Sequence, residues 1–281
     1  MMPGRDRRFF ALNVTESGEG SVVIPKRLLA PGGWLYGGSI LALTFALMEH
    51  QSKRPAVWGT AQIVSPAKRG EILKLCCSES ARGRRTAQLR VVATVSDREV
   101  FRSIGSTGTR TPDAGAAFHT MPAVSPPENS PPPQWNFDSD PDHSYFGQID
   151  LREAKVTSVA GVGTPAMALW ARIPRLPTWS APKLAYVADL ASTAIAQAAI
   201  PSSGVMLAGA SLDNSLRVGP VSESEWALLT GYPDMIHGGF AHGTVRMWDP
   251  DGALLAIGSQ TFGLRSRSIG RASSHEGDRE T

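Results

Sequence analysis

The sequence has little cysteine, little charge and no long apolar run. Two of its 281 residues are cysteine, Cys76 and Cys77; adjacent residues on an extended chain point to opposite faces, so we expect no disulfide framework. Charged residues make up 19%, and a net charge of +3 gives no reason to expect nucleic-acid binding. The stretches Ile40–Met48 and Leu184–Ile200 are too short or carry a charge, so no membrane span is predicted. With no apolar segment for a secretory signal near its start, the chain is interpreted as reduced and cytoplasmic.

A proline-rich stretch divides the chain. Hydrophobic residues make up 42% of the sequence, and 281 residues suffice for one large domain or two ordinary ones. Residues 109–140 include Ser-Pro-Pro-Glu-Asn-Ser-Pro-Pro-Pro, which lacks apolar periodicity and favours an extended linker. We therefore predict an N-terminal unit at 1–108, a linker at 109–148, a C-terminal unit at 149–265 and a polar tail at 266–281.

The two units show the same order of elements: an opening strand, an apolar helix and four extended runs. In the first unit, after a strand at Ser21–Pro25, we predict a helix at Ser39–His50 and strands at Val57–Ser65, Ile72–Ser80, Arg85–Ser96 and Glu99–Thr107. In the second, we predict a strand at Met167–Ile173, a helix at Lys183–Ala199 and extended runs near Met206–Leu216, Glu225–Tyr232, Gly239–Trp248 and Ala253–Gly263.

A constant offset supports an internal repeat. Leu75 and Leu228 are 153 residues apart, and Ile104-Gly105-Ser106 recurs as Ile257-Gly258-Ser259 at the same separation. A helix that is apolar all round, followed by antiparallel strands, favours one curved sheet wrapped around that helix. We therefore predict an α+β double hotdog fold, with two tandem units. The alternative is two unrelated α+β domains with similar hairpins.

Asp189 is the first candidate for chemistry. It is the one acidic residue in the predicted helix Lys183–Ala199, and the surrounding residues are mostly apolar. A buried carboxylate requires hydrogen-bond partners and indicates a functional site, whereas the same residue on a solvated face would need neither. The residues alone leave both interpretations open.

Three segments resemble the motif regions of the type II acyl-CoA thioesterases. They are Leu184–Asp189, Ser211–Ser215 and Ala256–Gln260, and the similarity extends over most of residues 8–265. The resemblance implies a double hotdog enzyme that hydrolyses acyl-CoA with an activated water and needs no metal or other cofactor. It also implies a catalytic set formed by Asp189, Ser211 and Gln260, whose carboxylate, hydroxyl and amide suit the binding and deprotonation of water.

Two further groups are candidates for substrate binding. Gly37 and Gly38 precede the first predicted helix, where backbone N–H groups could bind the thioester carbonyl, although the glycines could also only shape the turn. Arg84 and Arg85 belong to the densest basic patch and could contact the phosphates of CoA, although we favour a solvated hairpin as their interpretation. His237 and His242 are interpreted as surface or strand histidines rather than as a metal pair.

The sequence departs from the family pattern after Ser211-Leu212-Asp213. The family usually has histidine and bulky aromatics there, whereas this chain has Asn214 and then Leu216-Arg217-Val218. One alternative function is therefore a degenerate hotdog protein that binds acyl-CoA or another acyl ligand without hydrolysing it. A hydratase is a third interpretation, but no histidine lies at the matched positions. By analogy with hotdog proteins we also expect a homo-oligomer.

Overall fold

Most of the chain lies in one long antiparallel sheet. The computed structural model describes residues 4–15, 17–111, 115–134, 144–158, 163–192 and 207–266. The helices are α1 (Gly4–Phe9), α2 (Gly37–Ser52) and α3 (Ala181–Ala188), with short 3-10 turns at Lys26–Leu28, Pro127–Asn129 and Phe146–Gln148. The strands before the proline-rich stretch are β1 (Asn13–Val14), β2 (Gly20–Val23), β3 (Ala56–Ile63), β4 (Ile72–Arg82), β5 (Thr86–Val95) and β6 (Arg98–Gly108). Those within and after it are β7 (Ala123–Val124), β8 (Asp150–Glu153), β9 (Val156–Ser158), β10 (Met167–Arg172), β11 (Leu207–Ser211), β12 (Asp213–Val218), β13 (Ala227–His237), β14 (Phe240–Trp248) and β15 (Leu254–Ser266).

The order of strands in the sheet is the same in both halves of the chain. It runs β1-β2-β4-β5-β6-β3-β12-β15-β14-β13-β10-β8, and β11 pairs with β15. The first half has the order β2-β4-β5-β6-β3. The corresponding strands of the second half have the order β10-β13-β14-β15-β12, which appears in the opposite direction along the sheet. The two halves meet where β3 pairs with β12 in an antiparallel register. The repeat seen in the sequence is therefore a repeat of topology.

The repeated tripeptides occupy equivalent places on either side of this junction. Gly105 on β6 lies opposite Gly59 on β3, and Gly258 on β15 lies opposite Leu216 on β12. Gly59 and Leu216 are themselves partners across the junction, so the four residues form one row across the sheet. A side chain is excluded at Gly105, because a Cβ there would lie 2.5 Å from the carbonyl oxygen of Trp58.

Helix α2 lies at the centre of the molecule. Every residue from Gly37 to Met48 is buried, as the sequence predicts for a helix that is apolar all round. The helix packs against β3, β4, β5 and β6 of its own half and also against β12 and α3 of the other half. Residues of both halves contribute to one continuous hydrophobic core.

The second helix and the run after it differ from the prediction. The predicted helix Lys183–Ala199 is interrupted: α3 ends at Ala188 with Asp189 as its C-cap, and helical backbone resumes at Ala191 and Ser192. Residues 193–206 lie outside the described part of the chain. The predicted run Met206–Leu216 is two strands, β11 and β12, which separate at Leu212 because its N–H pairs with Thr261 and its carbonyl with Ile63.

The proline-rich stretch contacts the second half of the chain. Strand β7 pairs with β9, and the indole N–H of Trp170 on β10 donates to the carbonyl oxygen of Ser125 at 2.7 Å. Strand β6 ends at Gly108 and β8 begins at Asp150, but the division into units stays a prediction. Within the described ranges, no helix is long and apolar enough to cross a membrane. Cys76 and Cys77 are both free thiols on β4.

Candidate active site

Asp189 lies where helices α2 and α3 meet. Its side chain is 2% exposed, which excludes the solvated-face interpretation. As the C-cap of α3 it stands at the negative end of that helix dipole, an unfavourable position for a carboxylate. The opposing helix compensates, because the Gly38 N–H in the first turn of α2 donates to Asp189 Oδ2 at 2.7 Å.

Gly37 and Gly38 permit this close approach of the two helices. A Cβ on Gly37 would lie 2.8 Å from Asp189 Oδ2, and a Cβ on Gly38 would lie 2.5 Å from the carbonyl oxygen of Tyr186. Any larger residue would therefore push α2 away from the carboxylate. The Gly38 N–H carries one hydrogen, and while it binds Asp189 that hydrogen is not available to a substrate carbonyl. A contact between Gly37 and substrate stays a prediction.

Gln260 joins Asp189 to Ser211. Its amide lies on β15, is 5% exposed, and donates from Nε2 to Asp189 Oδ1 at 2.5 Å and to Ser211 Oγ at 2.6 Å. Ser211 is the last residue of β11, which pairs with β15 on the side away from β14. The structure thus brings the three sequence-predicted residues into one hydrogen-bonded set, although the first and last are 71 positions apart in the chain.

The environment of Asp189 tunes its acidity toward neutral pH. Burial raises the pKa of this carboxyl from 3.8 to about 6, and the hydrogen bonds from Gly38 and Gln260 limit the rise by stabilising the ionised form. A carboxylate with such a pKa is ionised at pH 7 and still basic enough to accept a proton from water in a transition state.

A cluster of tyrosines, which the sequence analysis missed, lies beside the carboxylate. The ring of Tyr36 stacks on that of Tyr145 with centroids 3.7 Å apart, and Tyr186 meets Tyr36 edge-on at 5.8 Å. Burial raises the pKa of Tyr36 and of Tyr145 well above the usual range, and the charge of Asp189 raises both further. Both phenols therefore stay neutral. Tyr145 lies within the predicted linker, where the sequence gives no functional signal beyond its aromatic neighbour Phe146.

The basic patch lies far from this set. Arg84 and Arg85 are exposed in the turn between β4 and β5, and Arg54 just beyond the C-terminus of α2 donates to the carbonyl oxygens of Gly83 and Arg84. Gly38 is at the other end of α2, about 24 Å away for a helix of 16 residues. The structure does not bring these arginines to Asp189, and a contact with CoA phosphate stays a prediction.

The two histidines considered in the sequence, His237 and His242, lie outside the candidate catalytic set, as expected. His237 is exposed at the end of β13, and His242 Nδ1 on β14 lies 3.2 Å from Thr261 Oγ1. Among the described residues no group of three or more His, Cys, Asp or Glu side chains is placed to hold a metal ion.

The chain is similar to proteins described as thioesterases. Residues 122–264 match the family model described as the acyl-CoA thioesterase C-terminal domain. A crystal structure of a provisionally assigned thioesterase from Novosphingobium aromaticivorans is 32% identical, with a TM-score of 0.79 over 91% of this chain and 98% of that one. A search of the curated proteins gave no significant match.

More distant structures establish the fold. The acyl-CoA thioesterase II TesB2 from Mycobacterium marinum is 19% identical, with a TM-score of 0.74 over 94% of this chain and 99% of that one. A thioesterase II from Thermobifida fusca, also provisionally assigned, is 18% identical, with a TM-score of 0.72 over 94% and 99%. The predicted α+β double hotdog fold is confirmed. On the family match and the 32% identity together, the chain belongs to the acyl-CoA thioesterase family.

Proposed function

We propose that this protein hydrolyses acyl-CoA to a free acid and CoA, using a water activated by Asp189. The observation that supports the proposal best is the buried set in which Gln260 donates to both Asp189 and Ser211. Such a set fixes the orientation of the carboxylate and leaves further lone pairs on its oxygens to accept a hydrogen bond from water.

The reaction needs a general base and a group that stabilises the negative charge on the thioester carbonyl oxygen. Asp189 takes a proton from water as the water oxygen bonds to the thioester carbon, and the carbonyl oxygen becomes negatively charged. When the C–S bond breaks, that oxygen becomes a carbonyl again and the proton passes to the thiolate sulfur. Ser211 Oγ, already held by Gln260, supplies a hydroxyl for orienting the water.

The test of this function is release of free thiol by the purified full chain from short-, medium- and long-chain acyl-CoAs. Saturable release from one or more of them supports hydrolysis. The second candidate, an acyl-ligand binder without activity, is favoured by Asn214 and by the aliphatic Leu216, which is fully buried beneath the helices. Saturable acyl-CoA binding without thiol release at any chain length would establish that candidate instead. A cytoplasmic location and a homo-oligomer belong to the same proposal.

We predict that activity depends on a group that titrates near pH 6. Only ionised Asp189 can act as base, and its pKa is raised to about 6, so kcat/KM should fall about tenfold per pH unit below that value. The effect on stability has the opposite sign, because a raised pKa means that ionisation disfavours the folded state as pH rises from about 4 to 6. A pH profile of kcat/KM checks the prediction, and a rate independent of pH from 5 to 8 would contradict it.

A further inference from the structure

Asn214 is a buried polar residue that the proposed mechanism does not yet use. Its side chain is 3% exposed, and its Nδ2 has no hydrogen-bond partner among the described residues. A buried amide donor without a partner costs about 1–3 kcal/mol of stability. Unpartnered groups of this kind require an explanation, and one is that a bound molecule supplies the missing acceptor.

The strand register places Asn214 beside Gln260. On β12 its neighbour Ser215 lies opposite Ser259 of β15, and on the other side the Asp213 carboxylate accepts the Thr261 N–H at 2.8 Å. Asn214 on β12 therefore lies directly opposite Gln260 on β15. Residues opposite each other on antiparallel strands share a face of the sheet.

That shared face is the one covered by the helices. Leu216 and Val218, which follow Asn214 at alternate positions on β12, are both part of the core. Gln260 points the same way, because it reaches Asp189 at the end of α3. The Asn214 amide is thus on the same side of the sheet as the candidate catalytic set.

The unpartnered polar atoms of Gln260 and Asn214 match the hydrogen-bonding needs of the two reactants, water and the thioester. Both hydrogens of Gln260 Nε2 are used, on Asp189 and Ser211, whereas its Oε1 is buried and has no partner among the described residues. Gln260 Oε1 can accept a hydrogen from the attacking water. A thioester oxygen that gains charge needs a donor instead, and the Gly38 N–H is already bound to Asp189.

We propose that Asn214 Nδ2 donates a hydrogen bond to the thioester carbonyl oxygen as that oxygen becomes negatively charged. The inference rests on the proposed hydrolysis and adds a further catalytic residue to the set of Asp189, Ser211 and Gln260. In this arrangement Asp189 and Gln260 Oε1 face the water, and Asn214 faces the oxyanion. The asparagine that replaces the family's histidine thus keeps a side-chain N–H at this position.

The test compares Asn214→Leu with the wild-type chain. Loss of one preorganised donor to an oxyanion lowers kcat by about 10²–10³-fold, and KM should change little. Leucine has a similar volume and needs no partner, so the free energy of unfolding should stay the same or rise. A residue with a merely structural role would lower that free energy when replaced. Asn214→His, which restores an N–H donor, should recover part of the lost kcat.

Two further variants keep the test decisive. Asn214→Asp has nearly the shape of the native residue but lacks the donor when ionised, so its kcat relative to wild type should fall as pH rises through the pKa of the introduced carboxyl. Ser215→Ala is the matched control, because Ser215 Oγ donates to Thr60 Oγ1 at 2.6 Å and belongs to the opposite face of β12, and its kcat should be unchanged. The outcomes separate the two proposals. If folded Asn214→Leu keeps kcat within a few-fold of wild type, or changes KM alone, the role of Asn214 is wrong while the proposed function stands. If the wild-type chain releases no thiol, the proposed function itself fails.

Discussion

Asp189→Asn is expected to lower kcat for acyl-CoA hydrolysis by about 10²–10⁴-fold, the usual contribution of a general base. The amide has almost the same shape as the carboxylate and can still accept from the Gly38 N–H, and Gln260 can turn its Oε1 toward the new Nδ2 in place of its own Nε2. The asparagine cannot, however, take a proton from water. Burial raises the pKa of Asp189 to about 6, which means that ionisation of this carboxyl destabilises the folded state. Since the asparagine carries no charge, the variant should lose little free energy of unfolding. Steady-state thiol release and chemical denaturation measure the two quantities.

Asp150→Asn is the matched control for this variant. Asp150 forms an ion pair with Arg172 at 2.8 Å near the surface, and such pairs contribute little to stability. The control should keep wild-type kcat. Any residual activity of Asp189→Asn should also lack the acidic limb near pH 6. An unchanged kcat in folded Asp189→Asn would show that the base is another group.

Gln260→Glu is expected to reduce activity at pH 7 by on the order of 10²-fold and to make it strongly dependent on pH. Gln260 Nε2 lies 2.5 Å from Asp189 Oδ1, so the substitution places two carboxyl groups together. Two negative charges about 4 Å apart repel by about 4 kcal/mol at an effective dielectric of 20, which raises the pKa of the second ionisation of the pair, so that the two carboxyl groups share one proton at pH 7. Activity measured against an enzyme-free blank should rise about tenfold per pH unit above pH 7.

Two other variants separate charge from the loss of hydrogen bonds. Gln260→Leu removes both bridging hydrogen bonds without adding charge, so its activity should be low at every pH and show no alkaline recovery. Gln88→Glu, on the exposed face of β5 between the uncharged partners Ala81 and Ser106, adds the same charge away from Asp189 and should behave as wild type. A Gln260→Glu variant with the wild-type pH profile would contradict the assigned role of this residue.

The sequence predicts the repeated architecture because the repeat is encoded in the spacing of residues. The tripeptides ending in Ser106 and Ser259 lie on β6 and β15, which occupy equivalent places in the two halves. Each glycine of these tripeptides lies where neighbouring strands approach closely, so a side chain is excluded in both copies. Helix α2 was predictable for a similar reason, since a helix with no polar face has to be buried.

The residue at which a helix ends, and the groups that bind Asp189, could not be predicted because both depend on contacts between residues distant in the sequence. The alanine-rich sequence continues the helical pattern beyond Ala188, but Asp189 ends α3 where it meets Gly38 of the other half. The pattern at Gly37 and Gly38 indicates a helix entry with free N–H groups, and does not reveal that one of them binds the carboxylate. Tyr145 is likewise brought onto Tyr36 by the return of the chain after the proline-rich stretch.

Thiol release from the acyl-CoA panel by the full chain, measured in parallel for the wild type and Asp189→Asn, tests whether Asp189 is the base of a hydrolase. We expect saturable release by the wild type with one or more chain lengths, and a loss of about 10²–10⁴-fold in a variant that unfolds at the same denaturant concentration. Equal release by both proteins, or acyl-CoA binding by the wild type without any release, would contradict this expectation.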